Sequence, residues 1–304
     1  MRHFIKNIVL GGVLFLAIFI LVFVGIDYIG LSDHAYKRVV SRTEGSLIVG
    51  TSRAAQALQP AFMDEVLVKE GFLPFYNFAF TIIDSPFGEL YYKAITRKMV
   101  KDNGFNPKRL FVVCVDPFSL SMIKELDKTG LREKQSVLYG IPFYIKPNLI
   151  YLIKHFRPRE WIETNKQMLL HDDGWLEVFA RMDSASVALN IAAKLETYRK
   201  YTPSPSKDRI SELIKTIKFF QTYGSVFLCR LSTCMEMNEI EHSFWPDFDK
   251  EMEALANSFD IQYFSFVNDF NKYRTIDGNH IFKDDGQLIS KAICDSVLLS
   301  NVHQ

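Results

Sequence analysis

Hydrophobic residues fall along this chain in two patterns. Over residues 8–26 they run for 19 positions with no charged or strongly polar side chain, which predicts a helix apolar on every face. At ~1.5 Å per residue such a helix is about 28 Å long, enough to cross the core of a bilayer. Further on come short apolar runs at 46–49, 75–79, 109–115, 225–231 and 262–266. These read as strands, the most apolar of them buried on both faces. Helical spacing separates them over 62–69, 89–102, 210–223 and 247–258. Strand alternating with helix predicts an α/β fold: a doubly wound, mostly parallel five-stranded sheet.

One interval breaks the alternation. Residues 119–207, between the third and fourth strands, hold Asp172-Asp173-Gly174-Trp175, a helical stretch at 184–200 and a Pro/Ser linker at 201–207. A helical insertion here would sit over the carboxyl edge of the sheet. It is either a packing layer or a lid or acceptor-binding wall. The chain therefore divides into a membrane segment, 1–30, and one large domain, 31–304. No internal repeat or low-complexity tract interrupts it.

Charge adds a direction to the first segment. Arg2 and Lys6 precede the apolar run and Asp27 follows it. This favours a cytoplasmic N-terminus, a single pass through the cell membrane and a domain on the extracytoplasmic side. Lys37, Arg38 and Arg42 pull the other way. The alternative is a cleaved signal peptide, but the run is long for one and no small-x-small site follows. A net charge of +1 and 48% hydrophobic residues lack the concentrated basic face that a nucleic-acid partner needs. The 26 Phe and 13 Tyr read as core packing, a few of them as lining for a sugar cleft. The cysteines at 114, 229, 234 and 294 have no metal-ligand spacing, so no metal and no cofactor is expected. Cys114 and Cys229 lie in strand runs, while Cys234 and Cys294 are available to pair in an oxidising compartment. His171 and His242 read as surface or loop residues.

Two segments carry candidate chemistry. Ser46-Leu47-Ile48-Val49-Gly50-Thr51-Ser52-Arg53 is an apolar strand ending in a tight turn that presents a serine. Asp277-Gly278-Asn279-His280 places a carboxylate three residues before a histidine, ahead of a helix at 287–299. A serine hydroxyl is a weak nucleophile unless a neutral imidazole takes its proton, and a carboxylate fixes that imidazole's tautomer. Ser52, His280 and Asp277 are thus the candidate nucleophile, base and orienting group. Ser52 would sit at the carboxyl end of its strand, where open α/β sheets place their sites. Each segment alone is weak, since serine is also a common helix N-cap.

The two blocks together resemble the SGNH/GDSL hydrolase superfamily, whose nucleophile follows strand one and whose Asp-x-x-His precedes the last helix. Thr51 and the membrane segment are similar to the DltD-like and alginate O-acetyltransferase-like branches. The resemblance spans roughly residues 45–300 and implies a flavodoxin-like fold with serine-dependent acyl transfer or carboxylester hydrolysis. It also implies partners: a cell-envelope polysaccharide or acylated carrier, and a polytopic membrane acyltransferase.

The middle blocks depart from the family pattern. At 76–82 the glycine that donates to an oxyanion is missing, leaving backbone groups of Ala79, Thr81 and Ile82 as candidates. At 111–117 Asp116 stands where a donor asparagine is expected. An ionised carboxylate cannot donate, so Asp116 is expected to pair with a backbone N–H or a cation, with Arg53 and Arg230 as the nearest. Three functions follow: a membrane-anchored acyltransferase or esterase of envelope glycans, a secreted carboxylester hydrolase, or a non-catalytic domain that binds glycan or scaffolds a membrane acyltransferase.

Overall fold

The computed structural model describes residues 1–29, 32, 34–41, 43, 45–99, 108–128, 130–136 and 147–301. Arg42, and residues 100–102 of the helix expected over 89–102, lie outside the described residues.

The chain opens with helix α1 (Arg2–Tyr28), then α2 (His34–Val40). α1 is long and apolar enough to span a membrane. The central sheet follows the pattern of apolar runs: β1 (Ser46–Val49), β2 (Phe75–Asn77), β3 (Leu110–Cys114), β8 (Ser225–Arg230) and β9 (Gln262–Ser265). Every pairing in it is parallel and the order is β2-β1-β3-β8-β9. Chain direction across the sheet reverses between β1 and β3, the switch point at which doubly wound sheets open a crevice.

Strand residues alternate between two cores. Leu47, Val49, Phe111, Val113, Val226 and Leu228 face α5 (Glu89–Lys98), α9 (Lys207–Gln221) and α11 (Phe248–Ser258). Ile48, Leu110, Val112, Cys114, Phe227 and Cys229 face α3 (Ser52–Ala57), α4 (Pro60–Leu67) and α12 (Lys283–Asn301). With both faces covered the three central strands have no use for polar alternation, which is why they read as unbroken apolar runs. Burying each such side chain contributes about 1.5–3 kcal/mol.

The interval from β3 to β8 is more than a helical layer. It contains β4 (Ser121–Ile123), α6 (Leu149–Lys154), α7 (Pro158–Gln167), the hairpin β5 (Met168–Leu170) and β6 (Leu176–Val178), α8 (Ser184–Arg199) and β7 (Pro203–Pro205), which pairs with β4. α6 packs on α1, β6 on α3, and α8 on α10 (Met235–Phe244). The run at 172–175 is the turn of the β5–β6 hairpin.

One strand bound is corrected, and the cysteines and His171 take definite places. The second strand stops at Asn77 instead of residue 79, because its buried side chain donates from Nδ2 to the Ala54 and Leu58 carbonyls, each at 2.9 Å. Beyond this anchor the chain still follows β1, the Phe78 N–H donating to the Ile48 carbonyl at 2.8 Å. All four cysteines are free: Cys294 is buried on the core-facing side of α12, and Cys234 sits at the start of α10. His171 lies in the loop after β5, as read, where its Nε2 is 2.9 Å from Glu177 Oε2 and its ring stacks on Trp175.

α2 is fastened by a buried guanidinium. Arg38 donates from Nε and Nη2 to the Gly174 carbonyl at 3.1 and 2.7 Å, and from Nη1 to the Ala79 carbonyl at 2.6 Å. Burial pulls its pKa down to about 10.

Candidate active site

Ser52 is positioned by the way β1 ends. Gly50 has φ +151°, and a Cβ there would lie 2.8 Å from both the Cβ and the carbonyl oxygen of Cys114. Only glycine lets the chain turn this close to β3. The turn is then pinned: the Gly50 carbonyl accepts from Ser85 Oγ at 2.8 Å and from the Phe80 N–H at 3.3 Å, and its N–H donates to the Tyr91 hydroxyl at 3.0 Å. Ser52 opens α3 directly after this turn, at the carboxyl edge of the sheet.

The second block folds as a self-capped loop. Asp277 Oδ1 accepts from the N–H groups of Asn279 at 3.1 Å and His280 at 2.9 Å, and Thr275 Oγ1 accepts from the Gly278 N–H at 3.1 Å. Gly278 has φ +79°, and its carbonyl accepts from the Cys234 N–H at 2.8 Å. α12 carries this loop to α3. Gln59, just past α3, donates from Nε2 to the Lys283 carbonyl and from its N–H to Ser290 Oγ at 3.0 Å. A Cβ on Gly286 would lie 2.6 Å from the Ala57 carbonyl oxygen, so the helices touch backbone to backbone.

The two blocks meet in a line of hydrogen bonds. Ser52 Oγ lies 2.8 Å from His280 Nε2, and His280 Nδ1 lies 2.9 Å from Asp277 Oδ2 and 3.1 Å from Oδ1. With the proton on Nδ1, the imidazole donates to the carboxylate and accepts from the serine hydroxyl. His280 is buried and Ser52 half-buried. Burial opposes ionisation of Asp277, but His280 and Lys194 outweigh it and hold its carboxyl well below the usual carboxylate range. Asp277 is therefore an anion across the physiological range.

Four further side chains shape the site. Lys194 of α8 forms an ion pair with Asp277 Oδ2 at 3.1 Å. Asn279 accepts on Oδ1 from Arg53 Nε and Nη2 at 2.9 and 2.7 Å, which turns its amide nitrogen to within 3.3 Å of His280 Nε2. Glu241 of α10 is buried between two arginines, accepting from Arg53 on Oε1 and from Arg230 on Oε2 at 2.8 Å. Burial works against the Arg53 charge, but Glu241 and then Asp116 outweigh it. Thr51 donates to Asp116 Oδ2 at 2.9 Å.

The residues expected at an oxyanion site divide. Asp116 is occupied by the Thr51 hydroxyl and, on Oδ1, by the Ser119 N–H at 2.8 Å. The expected backbone partner is present, but neither Arg53 nor Arg230 pairs with it, because Glu241 draws both guanidinium groups. Arg230 is further held by Asp249 and Asn238. The Ala79 N–H is taken by Asn77 Oδ1 at 3.2 Å and its carbonyl by Arg38. Thr81 is exposed, its hydroxyl donating to Asp84 Oδ2 at 2.7 Å, and Ile82 is half-buried against Phe118 and its neighbours. Among the described residues no cluster of His, Cys, Asp and Glu is arranged to hold a metal.

No protein-family model matches the chain, and no curated protein matches it. Lys194 and Glu241 carry no local signal in the sequence. Each sits on a helix whose other charges are solvated, and only the tertiary fold turns it inward. Asn279 lies inside the Asp-Gly-Asn-His block, where a polar residue beside the histidine was the available sign.

Proposed function

We propose that this chain is a membrane-anchored, serine-dependent acyltransferase or carboxylester hydrolase acting on a cell-envelope glycan. The reading joins the resemblance to SGNH/GDSL proteins with one observation, the unbroken line from Ser52 Oγ through His280 to the Asp277 carboxylate. In the first half-reaction Ser52 Oγ attacks the acyl carbonyl while His280 Nε2 takes its proton. The imidazolium formed is stabilised by Asp277 and returns the proton to the departing oxygen. In the second, a glycan hydroxyl or a water gives its proton to His280 and attacks the acyl-serine, releasing Ser52. α1 would hold the protein in the cell membrane by a single pass, with the domain on the extracytoplasmic side beside its polymer, an acylated carrier or a polytopic acyltransferase.

A second reading has its own support. The Ala79 and Phe80 N–H groups are already bonded, and a carboxylate occupies the place of the donor asparagine. A site short of oxyanion donors fits a non-catalytic glycan-binding or scaffold domain, because one missing donor costs about 3 kcal/mol of transition-state stabilisation.

Covalent labelling by a fluorophosphonate probe separates the two. Catalysis expects labelling of the wild type and none of Ser52→Ala. Equal absence of label in both, with no Ser52-dependent turnover of any acyl donor, would leave the scaffold reading.

A further inference from the structure

The α6–α7 segment carries apolar side chains that face outward. Ile150 is 65% exposed, Ile153 48% and Phe156 46%, with Ile162 also exposed on α7. Ile150 and Ile153 are one helical turn apart and share a face. Their neighbours Lys154, Arg157, Arg159 and Lys166 outnumber Glu160 and Glu163. On a water-facing surface such an apolar row is out of place.

Its position along α1 accounts for it. α6 packs on α1, and the Phe23 ring meets Phe156 at 5.3 Å between centroids, with Phe156 in turn against Trp161 at 5.8 Å. Phe23 is the one buried residue of α1, and Phe19 and Ile26 also pack against the domain core. Phe19 lies nine residues before Tyr28, about 14 Å down the helix axis at ~1.5 Å per residue. The domain therefore reaches along α1 well below the end of its apolar run. Whatever solvates that stretch of α1 also meets the outward side of α6 and α7.

We propose that the α6–α7 segment is a second membrane contact, lying in the bilayer interface beside α1. Ile150, Ile153 and Phe156 enter the acyl boundary, and Lys154, Arg157 and Arg159 lie among anionic headgroups. Short apolar faces edged with basic residues bind there through buried area and charge together. The inference rests on the reading of α1 as a membrane span.

The test uses the full-length protein in phosphatidylcholine vesicles containing phosphatidylglycerol. Single nitroxide labels are placed at Ile150→Cys, Ile153→Cys, Leu16→Cys in α1 and Leu189→Cys on the exposed side of α8, all with Cys234→Ser. The ratio of oxygen to nickel-chelate accessibility is then read. The expected ratio at 150 and 153 is several-fold above that at 189 and approaches that at 16. A lipid-like ratio at 16 with a water-like ratio at 150 and 153 would overturn the proposal and leave the span intact. Water-like ratios at 16, 150 and 153 alike would overturn both. Loss of access to both reagents at 153, with dipolar broadening between labels, would assign the face to a second copy of the chain instead.

Discussion

Lys194 Nζ stands 3.1 Å from Asp277 Oδ2, the carboxylate oxygen that His280 Nδ1 meets at 2.9 Å. One anion thus serves an ammonium and an imidazole at once. His280 and Lys194 together hold the Asp277 carboxyl well below the usual carboxylate range against the effect of burial. Lys194→Met removes one of the two, so the Asp277 carboxyl should move up toward the ordinary carboxylate range, while Lys194→Arg keeps it low. A carbon-13 NMR titration of the Asp277 carboxyl in the three proteins checks this. An unmoved carboxyl in the methionine variant would mean that Lys194 only braces the loop.

The base and its orienting group should differ in cost. His280→Ala leaves Ser52 without a proton acceptor, and kcat/KM is expected to fall by about 10⁴-fold or more. Asp277→Asn keeps a base in place and should lose roughly tenfold less. Single-turnover rates on an activated acetyl ester, with fluorophosphonate labelling as the second readout, check the order. Equal losses would show that the imidazole is useless in the wrong tautomer.

Glu241 lies between Arg53 and Arg230, and all three side chains are buried. Removing the shared anion leaves two guanidinium groups uncompensated, so Glu241→Gln should cost about 3–5 kcal/mol of folding stability. Urea unfolding of the protein in detergent measures it. A loss below about 1 kcal/mol would mean that Asn279, Asp249 and Asn238 suffice for the arginines.

Asp64 gives a pH test outside the site. Burial, opposed by the Phe75 N–H and assisted by Asp173, pushes its pKa up to about 6 from 3.8. The folded state therefore holds this proton more tightly than the unfolded chain. The resulting stability is fully present below pH 3.8 and is lost as pH rises through about 6. Asp64→Asn keeps an oxygen for the Phe75 N–H and removes the titration. It should gain about 1 kcal/mol over wild type at pH 8, after allowance for half-exposure, and little at pH 4. Tm measured at both values reads the difference, and an equal gain at both would discount the buried charge.

What could be read in advance divides along physical lines. The central strands were legible because burial on both faces demands apolar runs, and Ser46 to Val49 is such a run. Ser52 and the Asp277–His280 pair were legible because local turn chemistry places them. The partners that reach them from afar were not. α2 has no counterpart in the sequence reading, where Lys37 and Arg38 count only as basic residues after the apolar run, yet Arg38 is buried on two carbonyls. α10 was missed because Met235–Phe244 has no strong apolar period, and its key residue, Glu241, looks like any surface glutamate. For Asp116 the backbone N–H partner was legible, but the Thr51 hydroxyl was not, although Thr51 was already in view as the residue beside the serine.

Arg38 also fixes where the Ser52 site stands relative to α1. Its guanidinium joins the hairpin carbonyl at Gly174 to the carbonyl of Ala79, so α2 is locked to the loop that runs past Ser52. A catalytic domain on a loose tether sweeps a volume, and its reach is set by the length of the leash. Here the docking of α2 and of Phe23 removes that freedom. With α1 in a bilayer, Ser52 is held at one fixed altitude above the lipid. On the proposed function, acceptors would be selected by where along their length they cross that plane, and distance from the membrane would become part of the specificity.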